Sequence, residues 1–137
     1  NSPGRMSAKR KLPVAITIED SFKPNLEQLP AIDDIASIKL TPVGKDDAEP
    51  DVIENKPGKA GSVRVYKYLL DLYGGVVTRQ AAYLGCAIYA EHTEDAHKNP
   101  GKHGNIDRLF KIIETGEALN GEVVKAEEAK EEAKADA

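Results

Sequence analysis

Ser62-Val63-Arg64-Val65-Tyr66-Lys67-Tyr68-Leu69-Leu70-Asp71-Leu72-Tyr73-Gly74-Gly75 is the stretch on which the architecture turns. Val63, Tyr66, Leu69, Leu70 and Tyr73 recur at i, i+3, i+6, i+7 and i+10, a spacing that gathers apolar side chains on one face of a helix. Ser62 reads as its N-cap, since a hydroxyl there can accept from an orphaned first-turn N–H. Gly74-Gly75 ends it.

Downstream, Thr78 reads as the cap of a second helix, with Ala81, Leu84, Gly85, Ile88 and His92 along one stripe that stops before Pro100. Asn105 reads as the cap of a third, where Ile106, Leu109, Phe110 and Ile113 form the apolar edge and Gly116 closes the end. Upstream the pattern changes. Val14–Glu19 alternates β-branched Val14, Ile16 and Ile18 with polar residues and reads as a strand. Phe22, Leu26 and Leu29, ending at Pro30, suit a short helix. Ile38 and Leu40 alternate with Ser37 and Lys39 in a second strand. An acidic loop, Gly44–Pro50, then leads to a possible partner strand at Val52–Glu54. Strands followed by three amphipathic helices predict an α+β domain over residues 13–121, with a small antiparallel sheet from the N-terminal half packed against the helices.

The chain has 137 residues and a formal charge of −4. That length suits one domain. No apolar run approaches the roughly 20 residues that cross a bilayer, so the sequence points to no membrane. One cysteine excludes an internal disulfide and any zinc site built on cysteine pairs. A cytoplasmic protein is the expectation. Met6 reads as a natural start, with Asn1–Arg5 an expression scar and residues 1–12 a flexible basic arm. Residues 122–137, rich in Ala, Glu and Lys, read as a flexible acidic tail. The body between carries a net charge of −5, which argues against a surface made for nucleic acid phosphates.

Two loops repeat. Pro57-Gly58-Lys59-Ala60-Gly61-Ser62-Val63 opens the first long helix, and Pro100-Gly101-Lys102-His103-Gly104-Asn105-Ile106 opens the third. Pro-Gly centres a type II turn, with glycine supplying the positive φ. A helix start following such a turn exposes unpaired N–H groups at the positive end of the dipole. The pattern therefore proposes an anion site from Lys59, Gly61, Ser62, Lys102, His103, Gly104 and Asn105, with Arg64 and Arg108 one turn inside. Its ligand would be an anionic small molecule or an acidic protein segment. The plainer alternative is turn-and-cap chemistry with solubilising lysines. The spacing is not that of a Walker A loop.

All three histidines fall within Glu91–His103. His92, Asp95 and His103 form the best three-ligand set for zinc or iron, which makes a metal-dependent enzyme the rival reading. His92 and His97 lie about 140° apart on a regular helix and cannot share an ion. Here too the plainer reading is stronger: a core-edge His92 bonded locally, a solvated His97, and Cys86 as a small buried hydrophobe. Leu69–Tyr73, Gly74-Gly75 and Thr78–Ile88 have the outline of a helix-turn-helix, yet nothing basic follows Thr78, Arg79 and Gln80 until Lys98.

Ile53-Glu54-Asn55-Lys56-Pro57-Gly58-Lys59-Ala60-Gly61-Ser62-Val63-Arg64-Val65-Tyr66 and Tyr89-Ala90-Glu91-His92-Thr93-Glu94-Asp95-Ala96 also carry a likeness, as do Asn99-Pro100-Gly101-Lys102-His103 and Asn105-Ile106-Asp107-Arg108-Leu109. Together they resemble a small family of bacterial proteins catalogued only as a domain of unknown function. The likeness covers about Leu26 to Ile113 and implies a bacterial, cytoplasmic, single-domain protein. No catalytic role comes with it.

Overall fold

Ile35–Pro42 forms β1 because its apolar residues alternate onto one face: Ile38 and Leu40 are buried while Ser37, Lys39 and Thr41 point the other way. The computed structural model describes residues 15–129. In chain order it holds α1 (Phe22–Glu27), β1, β2 (Asp51–Glu54), α2 (Ala60–Leu72), β3 (Val76–Val77), α3 (Arg79–Tyr89), α4 (Glu91–Lys98), α5 (Gly104–Thr115) and β4 (Leu119–Lys125). The strands make one antiparallel sheet in the order β2-β1-β4-β3. This is an α+β fold.

The core lies between the sheet and the helices. Ile38, Leu40 and Ile53 face Val63, Tyr66, Leu69 and Leu70 of α2, with Ile88 of α3 and Ile106, Leu109 and Ile112 of α5 completing it. Each such side chain contributes about 1.5–3 kcal/mol of burial. Gly85 lets α3 come close to its neighbours: a Cβ there would lie 2.8 Å from Leu109 Cδ1 and 3.0 Å from Leu69 Cδ1.

Several expectations change. The C-terminal half supplies two of the four strands, β3 and β4. Residues 122–125, expected in the tail, are strand: Val123 pairs with Ile38 and Val124 with Ser37, in the row between β1 and β3. Val123-Val124 was the apolar signal that the charged run behind it obscured. Residues 126–129 are helical. The basic arm, the proposed scar, Val14 and residues 130–137 lie outside the described residues.

The expected strand at Val14–Glu19 is not one: residues 15–19 carry no ladder. Thr17 is instead held by a side chain, its N–H donating to Gln28 Oε1 and its carbonyl accepting from Gln28 Nε2, both at 2.8 Å. Asn25, fully buried, holds the same segment through Glu19 and also donates to the Ile88 carbonyl at 3.0 Å.

The long helix expected after Thr78 is two. Thr78 caps α3 as expected, accepting from Ala81 N–H at 3.1 Å. The chain then breaks at Ala90 (φ 52°, ψ −114°), the one non-glycine residue with positive φ among those described. The Thr93 hydroxyl donates to the Cys86 carbonyl at 2.6 Å and stabilises the corner. The helix-turn-helix outline also falls away, because β3 occupies the link between α2 and α3 and pairs with β4.

Candidate functional site

The two repeated loops fold alike. Lys59 N–H donates to the Lys56 carbonyl at 2.9 Å and Lys102 N–H to the Asn99 carbonyl at 3.1 Å, each closing a turn over Pro-Gly. Gly58 and Gly101 sit at φ 89° and 92°, as a type II turn requires. The helices begin earlier than expected. Lys59 is the N-cap of α2, so Gly61 and Ser62 lie within its first turn; His103 is the N-cap of α5, so Asn105 does too. Ser62 and Asn105 are therefore not caps. Once the turn has brought the backbone round, helical geometry is available to the small residues that follow it.

Both starts line one cavity of about 180 Å³. Gly58, Gly61 and Ser62 come from the first, and His103, Asn105 and Ile106 from the second. Phe22, Tyr89 and His92 close it. The backbone N–H groups of Gly61, Ser62, Gly104 and Asn105 meet no hydrogen-bond acceptor among the described residues. An aromatic row runs along the wall: Phe22 stacks on Tyr89 with centroids 5.2 Å apart, meets His92 edge-on at 5.2 Å, and His92 lies 5.6 Å from His103. Phe22 and Tyr89 were not foreseen, since each reads from sequence as an ordinary apolar-face residue. Tyr89 donates its phenol to Ser62 Oγ at 2.7 Å, and burial pushes that phenol far up, so it stays protonated.

The expected cations do not line this cavity. Lys59 is exposed and outside it. Lys102 Nζ pairs with Asp95 Oδ2 at 2.9 Å. Arg64 donates to the carbonyls of Leu29 and Pro30. Arg108 bonds Asp51 at 2.8 Å, Asn105 Oδ1 at 2.7 Å and the Tyr66 hydroxyl at 3.2 Å. Burial pushes the Tyr66 phenol up to about 12, with Arg108 working against the shift. Gly104 and Arg108 line a separate, larger cavity of about 410 Å³ on an apolar floor that includes Leu40, Ile112 and Leu119. Its partly buried cation, Arg108, is already matched by Asp51, so the smaller cavity is the better anion candidate.

Asp95 is the hub of the histidine segment. Hydrogen bonds from Lys102 and then His103 hold its carboxyl well below the usual carboxylate range. His103 Nε2 lies 2.7 Å from Asp95 Oδ2. His92, Asp95 and His103 are thus brought near one another, but Asp95 is engaged by Lys102, His103 and Asn99, whose Nδ2 donates to its Oδ1 at 2.9 Å. No group of three or more His, Cys, Asp or Glu side chains among the described residues is arranged to hold a metal ion. His97 is exposed, with its ring stacked 4.2 Å from Phe110. Burial pushes the Cys86 thiol up to about 11, away from nucleophilic use.

No helix among the described residues is long and apolar enough to cross a membrane. The molecule is an α+β protein whose antiparallel sheet carries its helices and, between two of their starts, one small polar-rimmed cavity. Residues 22–123 match the family described as an uncharacterized protein conserved in bacteria (DUF2322), and the chain belongs to that family. Neither a curated protein nor a solved structure matches it.

Proposed function

We propose that this protein is a binding module for a small anion, taken up between the starts of α2 and α5, rather than an enzyme. One observation carries the reading: two helix N-termini, built from the same Pro-Gly-Lys-x-Gly pattern, line a single cavity with first-turn N–H groups unspent. Such groups, at the positive ends of two helix dipoles, favour an oxyanion without any cationic side chain in contact. Lys59 and Lys102, near the mouth in sequence, serve at most as long-range attraction. A volume of about 180 Å³ admits one oxyanion group, which favours a small molecule over an acidic segment of another protein.

Calorimetric titration with inorganic phosphate and with acetate tests this. Saturable one-site binding of at least one of them is the expected result. Absence of saturable heat for both, with a folded protein, overturns it.

A further inference from the structure

We infer that the larger cavity, separate from the anion site proposed above, binds a zwitterion with an apolar tail. Its ligand has the chemistry of a free amino acid with a hydrocarbon side chain.

The cavity holds about 410 Å³, within the roughly 300–1,000 Å³ usual for pockets that take small organic molecules. It is bounded by α5 and by the stretch that leads from the acidic loop into β2. Its floor is apolar. Leu40 of β1 and Ile112 of α5 belong to the buried core, and Leu119 at the start of β4 packs against that core. A hydrocarbon chain laid on this floor leaves water together with the apolar surface beneath it.

Six charged side chains also line the cavity, and four of them are already engaged. Arg108 pairs with Asp51 at 2.6 Å and donates to Asn105 and Tyr66 as well. Asp107 accepts from Gly101 N–H at 3.0 Å, and Glu117 pairs with Lys45 at 3.1 Å. A ligand drawing on any of these four would break one bond for each that it made. Glu49 and Lys111 differ. Neither side chain has a hydrogen bond or ion pair among the described residues, with the other or with any third group.

Two free charges of opposite sign beside one apolar floor define their complement: an ammonium for Glu49, a carboxylate for Lys111 and a hydrocarbon chain for the floor. A plain carboxylate brings like charge toward Glu49, and a plain amine brings it toward Lys111. Only a ligand carrying both signs answers both residues.

The test is a titration followed by amide proton–nitrogen spectra near neutral pH, with three probes that share one chain. They are norleucine, hexanoate (norleucine without its ammonium) and pentylamine (norleucine without its carboxylate). Norleucine is expected to give saturable shifts at Lys111, Ile112 and Leu119. It should bind at least about threefold more tightly than either analogue, the modest worth of an ion pair at an exposed side chain. Glu49→Gln should weaken norleucine and pentylamine by about threefold and leave hexanoate unchanged or tighter. Lys111→Gln should weaken norleucine and hexanoate by as much and leave pentylamine unchanged or tighter. Both side chains are exposed, so both variants should fold. Absence of saturable norleucine shifts at this cavity overturns the inference, and so does an analogue that binds as tightly as norleucine. Variants that weaken all three probes alike overturn it too. None of these outcomes bears on phosphate binding in the smaller cavity, which stands or falls by its own titration.

Discussion

Replacing Ala90 by glycine should make the protein more stable, although it removes a methyl group from a well-ordered corner. Ala90 holds φ 52° and ψ −114°, a region that an L side chain enters only under strain. Such a residue costs on the order of 1–3 kcal/mol. Glycine relieves that cost and gives back about 0.5–1 kcal/mol through the greater freedom of its unfolded chain. The net gain is therefore about 0.5–2 kcal/mol, a Tm rise of roughly 2–6 °C for a domain of this size. The strain is maintained by its surroundings. Tyr89 on one side is bonded to Ser62, Glu91 on the other accepts from Phe22 N–H at 2.7 Å, and Thr93 closes the turn onto Cys86. These contacts fix where Tyr89 and His92 meet the cavity. Calorimetric and urea unfolding of Ala90→Gly, with an unchanged urea dependence, would measure the gain. A fall in Tm would refute the strain argument and show that the methyl group's contacts outweigh the backbone cost.

Three other outcomes follow from the packing and charge. Gly121→Ala sets a Cβ 2.5 Å from both methyl carbons of buried Leu70 and should cost about 1–3 kcal/mol in urea unfolding; adding Leu70→Ala should recover little or nothing if the clash is with backbone instead. Asn25→Ala strips the Ile88 carbonyl and the Glu19 backbone of their partner and should cost about 2 kcal/mol, read from the same unfolding curves. The carboxyl of Asp95 is depressed in the folded state, so its stabilisation is full above its ordinary value of 3.8 and is lost as pH falls below it. Asp95→Asn should accordingly narrow the difference in Tm between pH 7 and pH 3, and a variant with an undiminished difference would show that other carboxylates carry the acid sensitivity.

The elements that sequence reveals best here are those with strong periodicity and unambiguous punctuation. The face of α2, the Thr78 cap of α3, the αL Gly116 after α5 and the β1–β2 pair all follow from local chemistry that the tertiary structure leaves in place. What local pattern conceals is of two kinds. Val123 and Val124 are only two apolar residues ahead of a charged run, and their role as strand depends on partners 85 and 87 residues earlier, Ile38 and Ser37. Ile16 and Ile18 alternate like a strand, yet Gln28 and Asn25 side chains satisfy the segment's backbone in place of a neighbour. The site divides in the same way. Twin Pro-Gly turns were readable because glycine at positive φ leaves a signature. The fate of the cations was not, since Arg64, Lys102 and Arg108 each find partners distant in sequence or set by the α4–α5 packing.

Amide proton–nitrogen correlation spectra recorded while phosphate is added test the shared cavity most directly. The account predicts that Gly61, Ser62 and Asn105 shift together with one saturation curve, and that amides of the outer sheet strands stay still. Shifts confined to one helix start, or centred on Arg108 and the larger cavity, would contradict it.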